Sequence, residues 1–165
     1  MKKRIIALGL LWCLSAVMLQ AARVDTVLVR SAAMNKDVKV VYVLPDKAIG
    51  KQACPVVYLL HGYGGNARSW VQLKPELPQM ADEKGIIFVC PDGKNSWYWD
   101  SPENPAYRYE TFVTSELVKY TDGNYATIPD RKARAISGLS MGGHGALWSA
   151  IRHKDVFGAA GRMGG

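Results

Sequence analysis

Short runs of large apolar residues alternate along this chain with segments predicted to be helical, and this alternation limits its fold more than any other feature. Residues 56–60 (VVYLL) and 86–90 (IIFVC) are continuous apolar runs, as expected for strands that are buried on both faces. Helices are predicted after each of them, at 73–84 and at 109–120, where apolar residues share a face. The pattern predicts an α/β fold, a mostly parallel sheet with helices on both faces.

The remaining elements extend the same plan. Residues 24–30 and 38–44 are β-branched runs separated by a polar turn at 35–37, which predicts a leading antiparallel hairpin. Within the helix at 73–84, Pro75 and Pro78 confine the regular part to the second half. The elements predicted after position 130 are a strand at 133–137, a helix at 141–153 and the start of a strand at 157–161.

The serine at position 140 stands in the pattern Gly-x-Ser-x-Gly, formed by residues 138–142. A predicted strand leads into this pattern and a small-residue helix follows it, which is the strand–turn–helix setting of a nucleophile elbow. In such an elbow the serine sits at a strained, very sharp turn, and the glycines leave room for the neighbouring strand and helix. Ser140 is therefore the predicted nucleophile. The alternative is a glycine-rich turn that only packs strand against helix.

A second glycine-rich turn, HGYGG at 61–65, follows the predicted strand at 56–60. In hydrolases with a nucleophile elbow, such a turn supplies the second oxyanion donor. We expect the backbone N–H groups of Tyr63 and Met141 to form the oxyanion hole, with the Gly64 N–H as the alternative. No Lys-Ser/Thr pair follows the glycines, which argues against a phosphate-binding loop. His61 is expected to hold this loop by hydrogen bonds rather than to act as a base.

Aromatic residues are concentrated in the long loop at 94–108. Trp97, Tyr98 and Trp99 follow the carboxyl end of a predicted strand, where ligands bind in open α/β sheets. Their rings would suit a sugar ring or an aromatic acyl group, so all three are candidate substrate-binding residues; the alternative is that they cap the core. No dinucleotide fingerprint or metal cluster is visible in the sequence, so we expect neither a cofactor nor a metal.

The first 22 residues have the order of a secretory signal peptide. A start with three basic residues is followed by an apolar stretch at 5–19 and by Ala21-Ala22. The stretch is shorter than the ~20 residues of a membrane span, and the bulky Trp12 before Cys13 argues against a lipoprotein. We predict an exported protein, periplasmic or extracellular, with no membrane span after cleavage and a mature domain at 23–165.

The charge of the chain argues against one class of partner, and the positions of its cysteines argue against a disulfide. The formal net charge is +7, and cleavage would remove three positive charges and leave +4, with no basic block interleaved with aromatics. Nucleic acid is therefore not expected as a partner. Cys54 precedes one predicted strand and Cys90 ends a parallel one, so their Cα atoms should be farther apart than the ~7 Å that a disulfide spans. The sequence does not indicate which oligomeric state the protein adopts.

Four segments together resemble the esterase D or Putative esterase family: GLSMGGHGA, LLHGYGGNARSW, VCPDGKNSWYWDSP and YETFVTSELVKYTDGNY. This family includes S-formylglutathione hydrolases, feruloyl and acetyl-xylan esterases, and the mycobacterial antigen 85 acyltransferases. The resemblance extends from about position 38 to the end of the chain. It implies an α/β-hydrolase fold and a Ser–Asp–His triad, with Ser140 as the nucleophile and an oxyanion loop at 62–64.

The chain departs from this family after the serine. In the α/β-hydrolase fold the triad acid and histidine follow the serine in chain order, but only His144, His153 and Asp155 lie downstream, in or at the end of the predicted helix. We therefore expect a truncated fragment or a degenerate gene product, inactive and poorly folded on its own. His144 shares a helix face with Ser140, so a Ser–His dyad is conceivable, but we expect a packing role.

Three functions fit these features. The first is a serine carboxylic-ester hydrolase acting on acylated carbohydrate or similar small acyl esters, because export argues against a cytosolic glutathione thioester. The second is a binding protein that keeps the pocket but lacks the catalytic base and acid. The third is an acyltransferase of the antigen 85 type, which would form the same acyl-enzyme but exclude water.

Overall fold

The computed structural model describes residues 22–164, so the predicted signal peptide, apart from Ala22, lies outside the described residues. The six strands are β1 (Arg23–Ser31), β2 (Lys36–Leu44), β3 (Val56–Leu60), β4 (Ile87–Pro91), β5 (Arg134–Leu139) and β6 (Ala159–Met163). They form one sheet in the order β1-β2-β4-β3-β5-β6. β2 pairs antiparallel with β1 and β4, and the other three pairings are parallel. The leading hairpin and the mostly parallel sheet are confirmed.

The helices are α1 (Asp46–Ile49), α2 (Ser69–Leu73), α3 (Leu77–Lys84), α4 (Tyr109–Thr111), α5 (Leu117–Asn124) and α6 (Met141–Arg152). A π-helical turn at Phe112–Glu116 joins α4 to α5. The prolines act as predicted: α3 begins only at Leu77, with Pro78 in its first turn, where a missing N–H is tolerated. The short α2 before them was not predicted. No helix in the described range is long and apolar enough to cross a membrane.

Helices cover both faces of the sheet because successive side chains of its strands point to opposite faces. In β2, Tyr42 belongs to one buried apolar cluster, while Val41 and Val43 belong to another. The first cluster is covered by the helical segment at 109–124 and by α6, and the second by α2 and α3. This packing fixes the carboxyl ends of β3, β4 and β5 side by side at one edge of the sheet.

Two details near the ends of strands bear on the predictions. The last strand begins at Ala159, two residues later than predicted. Phe157, which was expected to begin it, lies before the strand and is buried in the core, edge-on to Tyr58 with ring centroids 5.8 Å apart. Cys54 and Cys90 are both buried and unpaired, which confirms that they form no disulfide. Burial raises the pKa of both thiols above the ordinary value.

Candidate active site

Ser140 lies at the junction of β5 and α6, and its backbone is strained. It has φ 51° and ψ −114°, a conformation that residues with a Cβ rarely adopt. The turn is so tight that a Cβ on Gly138 would lie 2.2 Å from the carbonyl carbon of Gly142. A Cβ on Gly142 would lie 2.2 Å from the carbonyl oxygen of Leu60. Ser140 itself is exposed. These are the features that a nucleophile elbow requires.

Two backbone N–H groups beside the serine are available to bind an oxyanion. The N–H groups of Tyr63 and Met141 donate to no protein acceptor within residues 22–164. The loop that carries Tyr63 lies against the elbow, since a Cβ on Gly62 would be 3.7 Å from the Cβ of Ser140. Met141 is the first residue of α6, so its N–H also lies at the positive end of the helix dipole.

The alternative oxyanion donor, Gly64, is already engaged. Its N–H donates to the side-chain oxygen of Asn95 at 2.8 Å. This corrects the expectation that Gly64 could replace Tyr63, because an engaged donor is not free to bind a substrate oxygen. The bond has a different role: it ties the loop at 61–65 to the loop at 94–108 and thereby fixes the position of Tyr63.

His61 holds loops together, as predicted from the sequence. The ring is almost completely buried, its Nδ1 donates to the carbonyl oxygen of Gly62 at 2.7 Å, and its Nε2 accepts from the N–H of Gly93 at 2.9 Å. Both ring nitrogens are thus occupied in the neutral tautomer. The Nε2 lies 3.6 Å from Oδ1 of Asp92, too far for a hydrogen bond. His61 therefore has no nitrogen available for a catalytic proton.

His144 is one turn along α6 from Ser140 and forms part of an aromatic cluster. Its Nε2 accepts a hydrogen bond from the indole Nε1 of Trp99 at 2.9 Å. The ring is stacked on Trp148 and contacts Trp97 edge-on, with centroids 6.2 and 5.5 Å away. Its backbone N–H donates to the carbonyl oxygen of Ser140 at 3.0 Å, but within residues 22–164 no hydrogen bond joins the His144 ring to the Ser140 hydroxyl. This supports the packing role rather than the Ser–His dyad.

These aromatic side chains form one wall of a cavity of about 450 Å³ that opens onto Ser140. Trp97 and Trp148 line it together with the apolar Leu147 and Ile151, and Arg162 is its one charged lining residue within the described part of the chain. Trp97 and Trp99 are 45% and 47% exposed. Trp97 lines the cavity, whereas Trp99 contacts His144, which lines it. The cavity is thus mostly apolar and is open at the nucleophile. We refer to it below as the aromatic cavity.

Tyr98 does not belong to this surface, so its prediction as a substrate-binding residue is wrong. It is fully buried, and its hydroxyl donates to the carbonyl oxygen of His61 at 3.3 Å. Trp97 and Tyr98 both have positive φ, 57° and 59°. The Tyr98 ring fills the space beside Gly93 and Gly145, where a Cβ on either glycine would overlap it. Tyr98 anchors the loop while Trp97 and Trp99 remain at the surface.

Glu110 is a buried acid beneath the aromatic cluster that the sequence did not reveal. Its carboxylate accepts from Trp148 Nε1 at 2.8 Å, Arg152 Nε at 2.7 Å and His153 Nε2 at 2.8 Å. Burial by itself disfavours the charged form, but these three hydrogen bonds outweigh it and hold the pKa of Glu110 below its usual value. The carboxylate therefore holds the C-terminal end of α6 in place. Its three donors lie about 40 positions away in the sequence, so no local sequence pattern could reveal these contacts.

The site thus brings together a strained serine, two unused N–H donors and an aromatic cavity, but no base. The chain has three histidines. His61 is bonded to two backbone groups, His144 to Trp99 and His153 to Glu110. No hydrogen bond joins any of these three rings to the Ser140 hydroxyl. The arrangement can bind an acyl group and hold an oxyanion, but residues 22–164 show no group placed to take the serine proton.

Comparison with known proteins agrees with the fold and identifies the family. The family model described as "Putative esterase" matches residues 31–165. An acetyl esterase from Caldicellulosiruptor saccharolyticus is 28% identical over 135 residues, covering 77% of this chain and 50% of that protein. Among solved structures, a ferulic acid esterase is 31% identical with a TM-score of 0.73, covering 85% of this chain and 59% of the other. An S-formylglutathione hydrolase from Agrobacterium tumefaciens is 28% identical with a TM-score of 0.77, covering 86% and 57%.

Proposed function

This chain belongs to the Putative esterase family, and on that premise we propose that it carries the nucleophile of a serine carboxylic-ester hydrolase acting on acylated carbohydrate or similar small acyl esters. The observation that carries the proposal is the strained, exposed Ser140 beside two unused backbone N–H groups. Relatives named acetyl esterase and ferulic acid esterase support ester hydrolysis. The chain spans about half the length of these relatives, so the activity of the whole protein is part of the proposal.

The reaction would proceed through an acyl-enzyme. The Oγ of Ser140 attacks the ester carbonyl carbon, its proton passes to a base, and the carbonyl oxygen becomes an oxyanion. The N–H groups of Tyr63 and Met141 stabilise that oxyanion, and one such donor is typically worth about 3–4 kcal/mol of barrier. The carbon–oxygen bond to the alcohol then breaks, and the alcohol leaves with the proton from the base. Water repeats the sequence on the acyl-enzyme, releases the acid and restores Ser140.

The base is the component that the described residues do not supply. All three histidines are engaged elsewhere, and Asp155 is exposed at the end of α6. We therefore propose that residues 22–164 alone accelerate ester hydrolysis only by about 10³–10⁴-fold over water, the residual rate that binding and an oxyanion hole provide without a complete triad. In this proposal the chain provides the nucleophile and the oxyanion hole of the catalytic machinery.

The same observation favours a second candidate function. A chain with an intact cavity and oxyanion hole but no base could bind acyl esters without turning them over. The two candidates differ in the reactivity of Ser140, because a binding protein needs no nucleophilic serine. The experiment is to treat the chain with a fluorophosphonate, which phosphonylates activated serines. Ser140→Ala tests the site, and Ser137→Ala, in β5 three residues earlier, is the matched control.

We expect selective labelling that is abolished in Ser140→Ala and retained in Ser137→Ala. Without a base the labelling rate should rise in proportion to hydroxide concentration, since hydroxide must then remove the serine proton. A rate that levels off near neutral pH would show that a histidine of this chain acts as the base, contrary to the hydrogen bonds described above. Labelling that survives Ser140→Ala, or no labelling at any pH, would refute the esterase proposal and favour the binding protein.

A further inference from the structure

A second cavity, of about 440 Å³, lies beside Ser140 on the side of the oxyanion loop. Its walls come from that loop, from α2 and from the residue before the serine. The side chains that form it are Tyr63, Ser69, Gln72, Leu73 and Leu139. None of these residues lines the aromatic cavity, so the two cavities are distinct. We call this one the Tyr63 cavity.

The two cavities flank the position where an ester carbonyl would be held. Gly62 lines the Tyr63 cavity and lies against the elbow, with its Cβ position 3.7 Å from the Cβ of Ser140, whereas Ser140 itself lines the aromatic cavity. The carbonyl carbon of an ester carries the acyl chain on one side and the alcohol oxygen on the other. When the carbonyl oxygen is bound by the N–H groups of Tyr63 and Met141, the acyl group and the alcohol extend from the carbonyl carbon in different directions. One cavity is available for each of these two parts of the ester.

The lining of the Tyr63 cavity indicates which half it takes. Tyr63 and Leu73 are 68% and 62% exposed, and they line the same cavity. The polar groups that accompany them are the Gln72 amide and the Ser69 hydroxyl, and no charged side chain lines the cavity. An aromatic face with a few uncharged hydrogen-bonding groups suits a ring that has one apolar face and a rim of hydroxyls. A neutral sugar has that chemistry.

The backbone that carries Tyr63 is held in place by hydrogen bonds on its C-terminal side. The N–H of the next residue, Gly64, donates to Asn95 at 2.8 Å, and the Gly65 N–H donates to the Gly62 carbonyl oxygen at 3.1 Å. The N–H of Asn66 donates to the Ser69 hydroxyl at 2.8 Å and joins the loop to α2. Because the loop backbone is already ordered, ligand binding here does not have to order it, and this lowers the entropic cost of binding.

We propose that the Tyr63 cavity is the subsite for the leaving alcohol and that it takes a neutral pyranose ring, stacked on Tyr63. This inference rests on the proposed esterase function of Ser140 and assigns the aromatic cavity to the acyl half. The same assignment favours carbohydrate esters over thioesters of glutathione as substrates. Glutathione carries two carboxylates, and a subsite for it would need cationic side chains that this cavity lacks.

The test measures the binding of methyl β-D-xylopyranoside to the 165-residue chain by saturation-transfer NMR. We expect transfer to the ring protons, and binding that is weakened roughly five- to tenfold in Tyr63→Ala by loss of the aromatic face. Tyr63→Phe keeps that face and should bind within about twofold of the parent chain. Trp97→Ala changes an exposed aromatic of the other cavity and should also retain binding. Because Tyr63 is exposed, neither variant at this position should alter the unfolding midpoint.

Two outcomes would overturn the proposal. Equal binding by Tyr63→Ala and the parent chain would show that no sugar stacks there, and loss of binding only in Trp97→Ala would move the sugar to the aromatic cavity. Displacement of the xyloside by glutathione at lower concentration than by xylobiose would refute the neutral-ligand assignment. Fluorophosphonate labelling of Ser140 on the same samples separates the two proposals. Labelling without Tyr63-dependent sugar binding refutes the subsite alone, whereas sugar binding without labelling refutes the nucleophile.

Discussion

Replacing Ser140 by glycine and by alanine separates the strain of the elbow from the chemistry of its side chain. Glycine adopts positive φ freely, whereas alanine keeps the Cβ that makes φ 51° and ψ −114° unfavourable. A residue held in such a region costs about 1–3 kcal/mol. Glycine loses about 0.5–1 kcal/mol through its greater freedom in the unfolded chain. The difference leaves Ser140→Gly more stable than Ser140→Ala by about 0.5–2 kcal/mol.

Urea unfolding followed by tryptophan fluorescence measures this difference, and a thermal melt should show it as a shift on the order of 2–8 °C in Tm. Ser137 provides the matched control, because it lies in β5 with no positive φ. There the order should reverse, with Ser137→Gly less stable than Ser137→Ala by about 0.5–1 kcal/mol. If Ser140→Ala proves as stable as Ser140→Gly, the elbow stores no strain and its assignment from backbone geometry is mistaken.

Three further predictions concern packing, charge and processing. Gly142→Ala should prevent native packing because its Cβ would meet a carbonyl oxygen at 2.2 Å, whereas Gly123→Ala, with open space around it, should stabilise the chain by about 0.5–1 kcal/mol; urea unfolding compares the two. Glu110→Gln should cost about 1–3 kcal/mol at neutral pH. Three hydrogen bonds hold the folded-state pKa of Glu110 below its unfolded value, so this cost should be full at neutral pH and should fade as the pH falls through the folded-state pKa; an equal cost at neutral and at acidic pH would contradict a stabilising role of the charged carboxylate. Export should remove the first 22 residues, so N-terminal sequencing of the exported protein should begin within a few residues of Arg23, and an intact Met1 on the exported form would contradict the signal peptide.

The elements that were predicted correctly depend on local patterns. The strand at 56–60 follows from its apolar run, and a strand predicted at 133–137 is found at 134–139. The turn from β5 into α6 follows from glycines at fixed spacing around Ser140. The role of His61 followed from its place at the end of a buried strand. Each of these inferences needed only neighbours within a few positions.

The features that were missed depend on contacts between distant segments. The hydrogen bond from Trp99 to His144 joins residues 45 positions apart, and that from Trp148 to Glu110 joins residues 38 apart. The burial of Tyr98 depends on left-handed backbone at non-glycine positions and on the glycine of α6 against which it packs. The engagement of Gly64 by Asn95 is likewise a contact between two loops. No local periodicity encodes such pairings.

The central claim is that Ser140 forms an acyl-enzyme, and the most direct measurement is peptide mass spectrometry after incubation with p-nitrophenyl acetate. Without a base among residues 22–164, deacylation should be slow, so the intermediate should accumulate as nitrophenolate is released once per chain. We predict a single acetyl group on the peptide that contains Ser140, and none in Ser140→Ala. Acetylation confined to lysines or to other serines, or its persistence in Ser140→Ala, would contradict the account.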